Sequence, residues 1–138
     1  MKRPQSYYDP VANNPKPYRL LKDYTISTGI IGHTVYAPLY TLKLDGTLVI
    51  QMGFRWDGAT GAIDGHSVLP ASLVHDVLCE LTNNGRIPYK YRRHADRLFR
   101  RQCITFATSP FGRAWAWPRW AMVRIYSEKN RAIRKWLS

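Results

Sequence analysis

This 138-residue chain is poor in several features that define other classes of protein. It has only two cysteines, which argues against a small secreted domain held together by several disulfides. It has no run of about twenty apolar residues, and no apolar signal region follows the basic start MKRPQ. We therefore predict no transmembrane segment and no secretion signal. The length is typical of a single domain with a modest core, which we expect to span residues 1–138.

Acidic residues are also scarce, because nine Asp and Glu oppose 21 Lys and Arg and give a net charge of +12. Residues 1–85 carry seven basic and seven acidic side chains, whereas residues 86–138 carry fourteen basic and two acidic ones. Four of the five tryptophans lie beyond residue 112, and we predict a basic amphipathic helix over 113–138. Such a helix can bind an anionic membrane surface or pack its aromatic side on the protein. Nonspecific binding of nucleic acid is a further alternative, although no reading motif is present.

Two helices are predicted from the spacing of apolar residues in the middle of the chain. The first starts near Pro70, which suits a first helical turn, and runs to Leu81. Its buried face is expected to hold Leu73, Val74, Val77, Leu78 and Leu81. The second spans about 91–106, with Ala95, Leu98, Phe99, Gln102, Cys103 and Phe106 on its buried face. The turn-forming residues TNNGRIPYK between them predict an antiparallel helix pair over 70–106.

The residues before the helices have the composition of strands and extended segments. Residues 24–56 are rich in β-branched and aromatic side chains, and Asp45-Gly46 between TLKL and TLVIQ is a strong hairpin signal. Residues 1–20 hold four prolines, and we expect an extended amino-terminal arm there that can grip a neighbouring subunit. The predicted fold class is therefore α+β, with a small antiparallel β-sheet packed on the helix pair and followed by the basic carboxy-terminal helix.

The candidate chemistry lies on the helix pair, where His75 and Asp76 are adjacent and Asp96 follows in RRHADRLF. An imidazole oriented by one carboxylate can take a proton from water, while a neighbouring carboxylate holds a divalent cation that stabilises the oxyanion formed from an ester. The alternative is that a His-Asp pair occurs by chance and that Asp96 is only a helix cap or a partner of the helix dipole.

The two cysteines, Cys79 and Cys103, are expected to be free and mostly buried. If His75 and Asp96 lie level on antiparallel helices, the two cysteines run in opposite directions, too far apart for a disulfide. A zinc site made of His75, Cys79 and Asp96 is conceivable, but no closely spaced second Cys or His pair completes it.

Residues 53–100 resemble a family found in phages and prophages, domain of unknown function 1353. The resemblance rests on GFRWDGAT, PASLVHDVLC and ADRLF, which hold Gly53, Phe54, Asp57, Ala59, Thr60, Ala71, His75, Asp76, Leu78, Ala95, Asp96 and Phe99. Cys79 stands where the family usually has Tyr, and Thr60 where it often has Ser. The resemblance implies a phage-encoded protein, located in the host cytoplasm or in the virion.

The helix pair also resembles the core of the secreted phospholipase A2 enzymes. That resemblance implies that His75 activates water, that Asp96 holds the imidazole tautomer, and that Asp76 binds calcium. Calcium takes about six to eight oxygen ligands, and the implied ones besides Asp76 are Asp57, Thr60, Asp64, loop carbonyls and water. The plainer interpretation of the glycine-rich loop FRWDGATGAIDG is a simple turn. Calcium is favoured over zinc as the metal.

Three functions follow from the sequence. The first is a phage-encoded, metal-dependent hydrolase, most plausibly similar to phospholipase A2, that acts on phospholipid or another ester of the host envelope. The second is a non-catalytic virion or assembly protein, in which the same polar residues form a buried, satisfied network and the arm contacts virion proteins or a second copy. The third is a nonspecific nucleic-acid-binding accessory protein.

Overall fold

A computed structural model describes residues 2–8, 16, 18–57 and 68–106 of the chain. Within these ranges the protein is an α+β structure with two antiparallel sheets of short strands and two packed helices, as the sequence predicts. The strands are β1 (Ser6–Tyr8), β2 (Tyr18–Leu20), β3 (Tyr24–Ser27), β4 (Val35–Tyr36), β5 (Tyr40–Leu42), β6 (Thr47–Ile50) and β7 (Arg55–Trp56). The helices are α1 (Val68–Asn83) and α2 (Tyr91–Phe106). The predicted helix over 113–138 lies outside the described residues.

The larger sheet has the strand order β3-β6-β5-β4, and its neighbouring strands are all antiparallel. The predicted hairpin at Asp45-Gly46 joins β5 to β6. The Gly46 amide donates to the Lys43 carbonyl at 2.9 Å, and the Thr47 amide donates to Oδ1 of Asp45 at 2.9 Å. Alternate residues of β3, β5 and β6 are buried, which is the pattern of a sheet with one face on the core.

The smaller sheet has the order β1-β2-β7 and uses residues that we expected to form an extended arm. Ser6 pairs with Leu20, and Tyr18 pairs with Trp56, so two segments of residues 1–20 are strands instead. β1 and β2 themselves contain no proline, so each of their residues has a backbone amide that can pair within the sheet. The prolines counted over residues 1–20 therefore do not argue against these two strands.

The helices follow their predicted faces closely. Every residue expected on the buried faces of α1 and α2 is buried, and α1 begins only two residues before its predicted start. Residues near the connecting loop meet across the pair, as Thr82 does with Arg92, whereas residues far from it meet at the other end, as Ala71 does with Cys103. The two helices are therefore antiparallel. No helix among the described residues is long and apolar enough to cross a membrane.

The carboxyl end of α1 has no basic residue of its own and is closed by Arg92 of α2. This nearly buried side chain donates to Oγ1 of Thr82 at 3.1 Å, to the Cys79 carbonyl at 3.5 Å and to Oδ1 of Asn83. A guanidinium in this position satisfies carbonyl oxygens of the last turn and opposes the negative end of the helix dipole. Arg92 thus fixes the end of one helix against the start of the other.

Both sheets and both helices contribute to one hydrophobic cluster. Two polar contacts tie α1 to particular strands. The indole Nε1 of buried Trp56, in β7, donates to Oγ of Ser72 at 2.9 Å, and the Tyr40 hydroxyl, in β5, donates to Oε2 of Glu80 at 3.0 Å. Consequently the end of β7 is held beside α1, where the candidate site lies.

Gly46 and Gly53 each have a left-handed backbone conformation, and we expect substitution to be less well tolerated at Gly46. Gly46 and Gly53 have φ angles of 90° and 94°, but only Gly46 has atoms close to the position of an added Cβ, the nearest being the Ile30 amide nitrogen at 3.2 Å. Gly53→Ala should lower the free energy of unfolding by about 1 kcal/mol and Gly46→Ala by about 2–3 kcal/mol. Urea denaturation measures the free energy of unfolding of both variants. Equal losses would contradict the prediction and show that the hairpin backbone shifts to make room for the methyl group.

Candidate functional site

The imidazole of His75 and the carboxylate of Asp96 are in direct contact across the helix pair. His75 Nε2 lies 2.7 Å from Asp96 Oδ1, and the two side chains are 11% and 0% exposed. His75 lies about two turns before the end of α1, and Asp96 lies about one and a half turns after the start of α2. Antiparallel packing therefore brings them level, and the structure joins the two residues expected to act together.

The surroundings of His75 favour its protonated form. Burial by itself would lower the pKa of the imidazole, but the charge interaction with Cys79 and the hydrogen bond to Asp96 outweigh burial and raise the pKa to about 10. The ring also packs against Phe99, with 5.1 Å between ring centroids. The imidazole thus binds a proton more strongly than a free histidine does, and a buried carboxylate fixes its orientation.

Asp76 forms a second polar pair, which is acidic, with Asp57. Asp57 follows β7 directly, and the contact between Trp56 and Ser72 holds that strand end beside α1. Burial, followed by the hydrogen bond to Asp57 and the charge of Asp57, raises the pKa of Asp76 to about 9. Two carboxyl groups so close cannot both be ionised at low cost, so they either share a proton or bind a cation.

The acidic pair opens on a groove with a volume of about 380 Å³, here called the α1 groove. Its lining consists of Lys16, Phe54, Arg55, Trp56, Asp57, Asp76, Cys79, Glu80, Asn83 and Asn84. Glu80 is not among the predicted site residues, although it follows Asp76 by four residues and shares its helix face. The Glu80 carboxylate accepts from Tyr40, and burial, together with this carboxylate, raises the pKa of the Tyr40 hydroxyl to about 12.

Cys79 lines the groove and also contacts the imidazole of His75. Its Sγ lies 3.6 Å from both ring nitrogens of His75, one helical turn away. Cys79 is partly exposed, whereas Cys103 is buried in an apolar cluster with Ala71, Phe99 and Phe106. The two cysteines do not form a disulfide, in agreement with the sequence prediction.

The predicted metal ligands are only partly covered by the described residues. Asp57 and Asp76 are together, whereas Thr60 and Asp64 lie outside the described residues. In the described part of the chain no group of three or more His, Cys, Asp or Glu side chains is arranged to hold a metal ion. The acidic pair fits a cation through its two adjacent carboxyl groups, because a bound cation would replace the proton that they share. Calcium and zinc both stay predictions.

Comparison of the chain with protein-family models, curated proteins and solved structures finds no match. The resemblances to domain of unknown function 1353 and to the phospholipase A2 core therefore stay predictions.

Asp76→Asn should change the dependence of stability on pH. Because the folded pKa of Asp76 is raised from 3.8 to about 9, the folded state binds one proton more than the unfolded state between these values, and stability is lost as the pH rises through this window. An asparagine cannot lose that proton and still donates to Asp57. We expect the variant to unfold at higher urea than the wild type at pH 8 and to lose this advantage towards pH 4.

The matched control is Asp45→Asn. Asp45 is exposed, and hydrogen bonds from Thr47 lower its pKa, so its stabilising contribution is present above its unfolded pKa and is lost on acidification. This variant should gain no stability at pH 8. Parallel pH profiles for the wild type and Asp76→Asn would contradict a raised pKa at Asp76.

Proposed function

We propose that this protein is a phage-encoded, metal-dependent hydrolase that cleaves an ester, and that its substrate class is phospholipid of the host envelope. The observation that carries the proposal is the 2.7 Å contact between His75 and Asp96, one residue away from a carboxyl pair that opens on a groove. Catalysis of ester hydrolysis needs a positioned proton carrier and a positive charge near the developing oxyanion. The two pairs provide a place for each.

His75 acts as the proton carrier. Its Nε2 is committed to Asp96, so Nδ1 is the nitrogen that exchanges a proton with the reacting groups. The ring takes a proton from the attacking group as the bond to the carbonyl carbon forms, and it then gives a proton to the leaving alcohol. Asp96 does not touch the substrate in this scheme. It positions the ring and stabilises the positive charge that the ring carries.

Asp76 and Asp57 would hold the cation, for which calcium is the proposed metal. The two carboxylates would supply hard oxygen ligands, and the sequence predicts Thr60, Asp64, loop carbonyls and water as the remaining ones. Such a divalent cation would polarise the ester carbonyl. Asp76 is the central ligand because it belongs to the rigid helix that also carries His75 and Cys79.

The charge of the chain supports a substrate at an anionic surface. Helix α2 exposes Arg93, Arg97 and Arg101, and residues 86–138 carry fourteen basic side chains against two acidic ones. Basic residues of this kind draw a protein to anionic lipid headgroups at low ionic strength. Phe54 and Trp56 give the α1 groove apolar walls next to its polar groups, a composition that suits an amphiphilic ligand.

An assembly role in the virion is the second candidate, and the burial of the dyad favours it. Asp96 is fully buried and His75 nearly so, as expected for a polar network that only ties two helices together. Within the described residues β1 forms an edge of the smaller sheet, where a virion protein or a second copy can add a strand. Nonspecific nucleic-acid binding rests on the arginines alone.

Fatty-acid release from vesicles of mixed anionic and zwitterionic phospholipid is the direct test. We expect release by the wild type with calcium, none with a chelator, and a loss of more than about a hundredfold in His75→Gln. His33→Ala is the matched control, because His33 packs on Tyr91 and takes no part in the groove. If the folded, calcium-loaded wild type releases no fatty acid, phospholipid hydrolysis is excluded and the assembly role takes its place.

Cation binding has a readout that is independent of activity. Calcium should raise the melting temperature of the wild type, because a ligand that binds only the folded state stabilises it. Asp76→Asn should abolish the increase, and Asp45→Asn should retain it, since Asp45 lies in the β5–β6 turn. Titrations with magnesium and zinc in parallel identify the preferred ion. An equal increase in all three proteins would place the cation elsewhere.

A further inference from the structure

The Cys79 thiol occupies the position between the His75 imidazole and the α1 groove. Cys79 lines the groove, whereas His75 does not and is 11% exposed. Any group in the groove therefore meets the sulfur before it meets the imidazole. This arrangement raises the question of which atom attacks the ester, since water has to reach a ring nitrogen that the sulfur partly covers.

The Cys79 thiol is in contact with the His75 imidazole and is equally far from its two nitrogens. Sγ is 3.6 Å from Nδ1 and 3.6 Å from Nε2, and Nε2 is held at 2.7 Å from Asp96. Nδ1 is consequently the nitrogen that can exchange a proton with sulfur. A nucleophile, a base within reach of it and a third group that orients the base make up the arrangement found in nucleophilic hydrolases.

We propose that Cys79 is the nucleophile of the hydrolase, with His75 as its base and Asp96 as the positioning residue. This inference rests on the proposed function, because it names the attacking atom of the same site. Cys79 and Asp76 are three residues apart on α1 and both line the groove. An ester carbonyl in the groove can thus lie next to the sulfur and near the carboxyl pair.

The reaction has two balanced halves. In the first, the thiol has passed its proton to His75, sulfur forms a bond to the carbonyl carbon, and the carbon–oxygen bond to the alcohol breaks as His75 gives that proton to the leaving oxygen. The product is a thioester on Cys79 and a free alcohol. In the second half, water attacks the thioester with His75 as base. The acid leaves, and the thiol regains its proton.

Cys103 offers a matched control within the same protein. It is also a cysteine outside any disulfide, but it is fully buried among Ala71, Phe99 and Phe106 and does not line the α1 groove. Nonspecific modification of thiols by the reagent should not depend on His75. Acylation of Cys79 should depend on His75 and should persist when Cys103 is replaced.

The experiment uses the full-length protein with calcium and a short-chain p-nitrophenyl ester as the probe. Release of p-nitrophenol is followed for the wild type, Cys79→Ala, Cys103→Ala and His75→Gln, and samples quenched in acid are analysed by mass spectrometry and peptide mapping. We expect an acyl group on Cys79 in the wild type and in Cys103→Ala. His75→Gln should show no acyl group, and turnover in Cys79→Ala should fall more than about a hundredfold.

The outcomes separate this inference from the proposed function. Acylation of Cys79 that requires His75 supports both. Turnover that survives in Cys79→Ala but not in His75→Gln, with no acyl group on the wild type, overturns the thiol nucleophile and leaves a hydrolase that activates water directly. If the wild type neither releases p-nitrophenol nor becomes acylated, while it also fails to hydrolyse phospholipid vesicles, both proposals fall.

Discussion

The buried carboxylate of Asp96 is the constraint on which the arrangement of the helix pair depends. A carboxylate with no exposed surface needs a hydrogen-bonded partner, and preferably a positive one, because it cannot be solvated by water. His75 supplies that partner from the facing helix at 2.7 Å. The contact fixes the register of α2 on α1, and the same register places Arg92 at the carboxyl end of α1. A slip of one turn would break both contacts.

Helix α1 presents different side chains to three surroundings: the main core, helix α2 and the α1 groove. Apolar residues such as Leu73, Val77 and Leu81 belong to the main core, and His75 faces α2. Asp76, Cys79 and Glu80 line the groove. Because a helix repeats every 3.6 residues, neighbouring positions in sequence point to different surroundings. The adjacent pair His75 and Asp76 therefore joins two different polar pairs, one with Asp96 and one with Asp57.

The acidic groups of the site lie close together in a chain whose net charge is +12. Asp57, Asp76 and Glu80 lie around one groove, while the exposed side of α2 carries several arginines. Burial of Asp76, together with its contact to Asp57, raises the pKa of Asp76 and costs stability near neutral pH. Such a cost is common where a site is built for chemistry, and a core optimised only for stability would avoid it. This is the physical argument that favours the hydrolase over a purely structural network.

The sequence by itself determined the local structure and the chemistry available to it. The periodicity of apolar residues predicted both helices and their buried faces, and Asp45-Gly46 predicted the hairpin, because these signals act over a few residues. The pattern of His75 and Asp96 offered partners on two facing helices but did not fix the register that brings them together. Tertiary structure alone decided that β1 and β2 form a sheet with β7, that Tyr40 holds Glu80, and that Cys79 stands between the imidazole and the groove. Those contacts join residues far apart in the chain or depend on how an element is rotated against its neighbours. No local pattern encodes such information, since it is fixed only when the whole core packs.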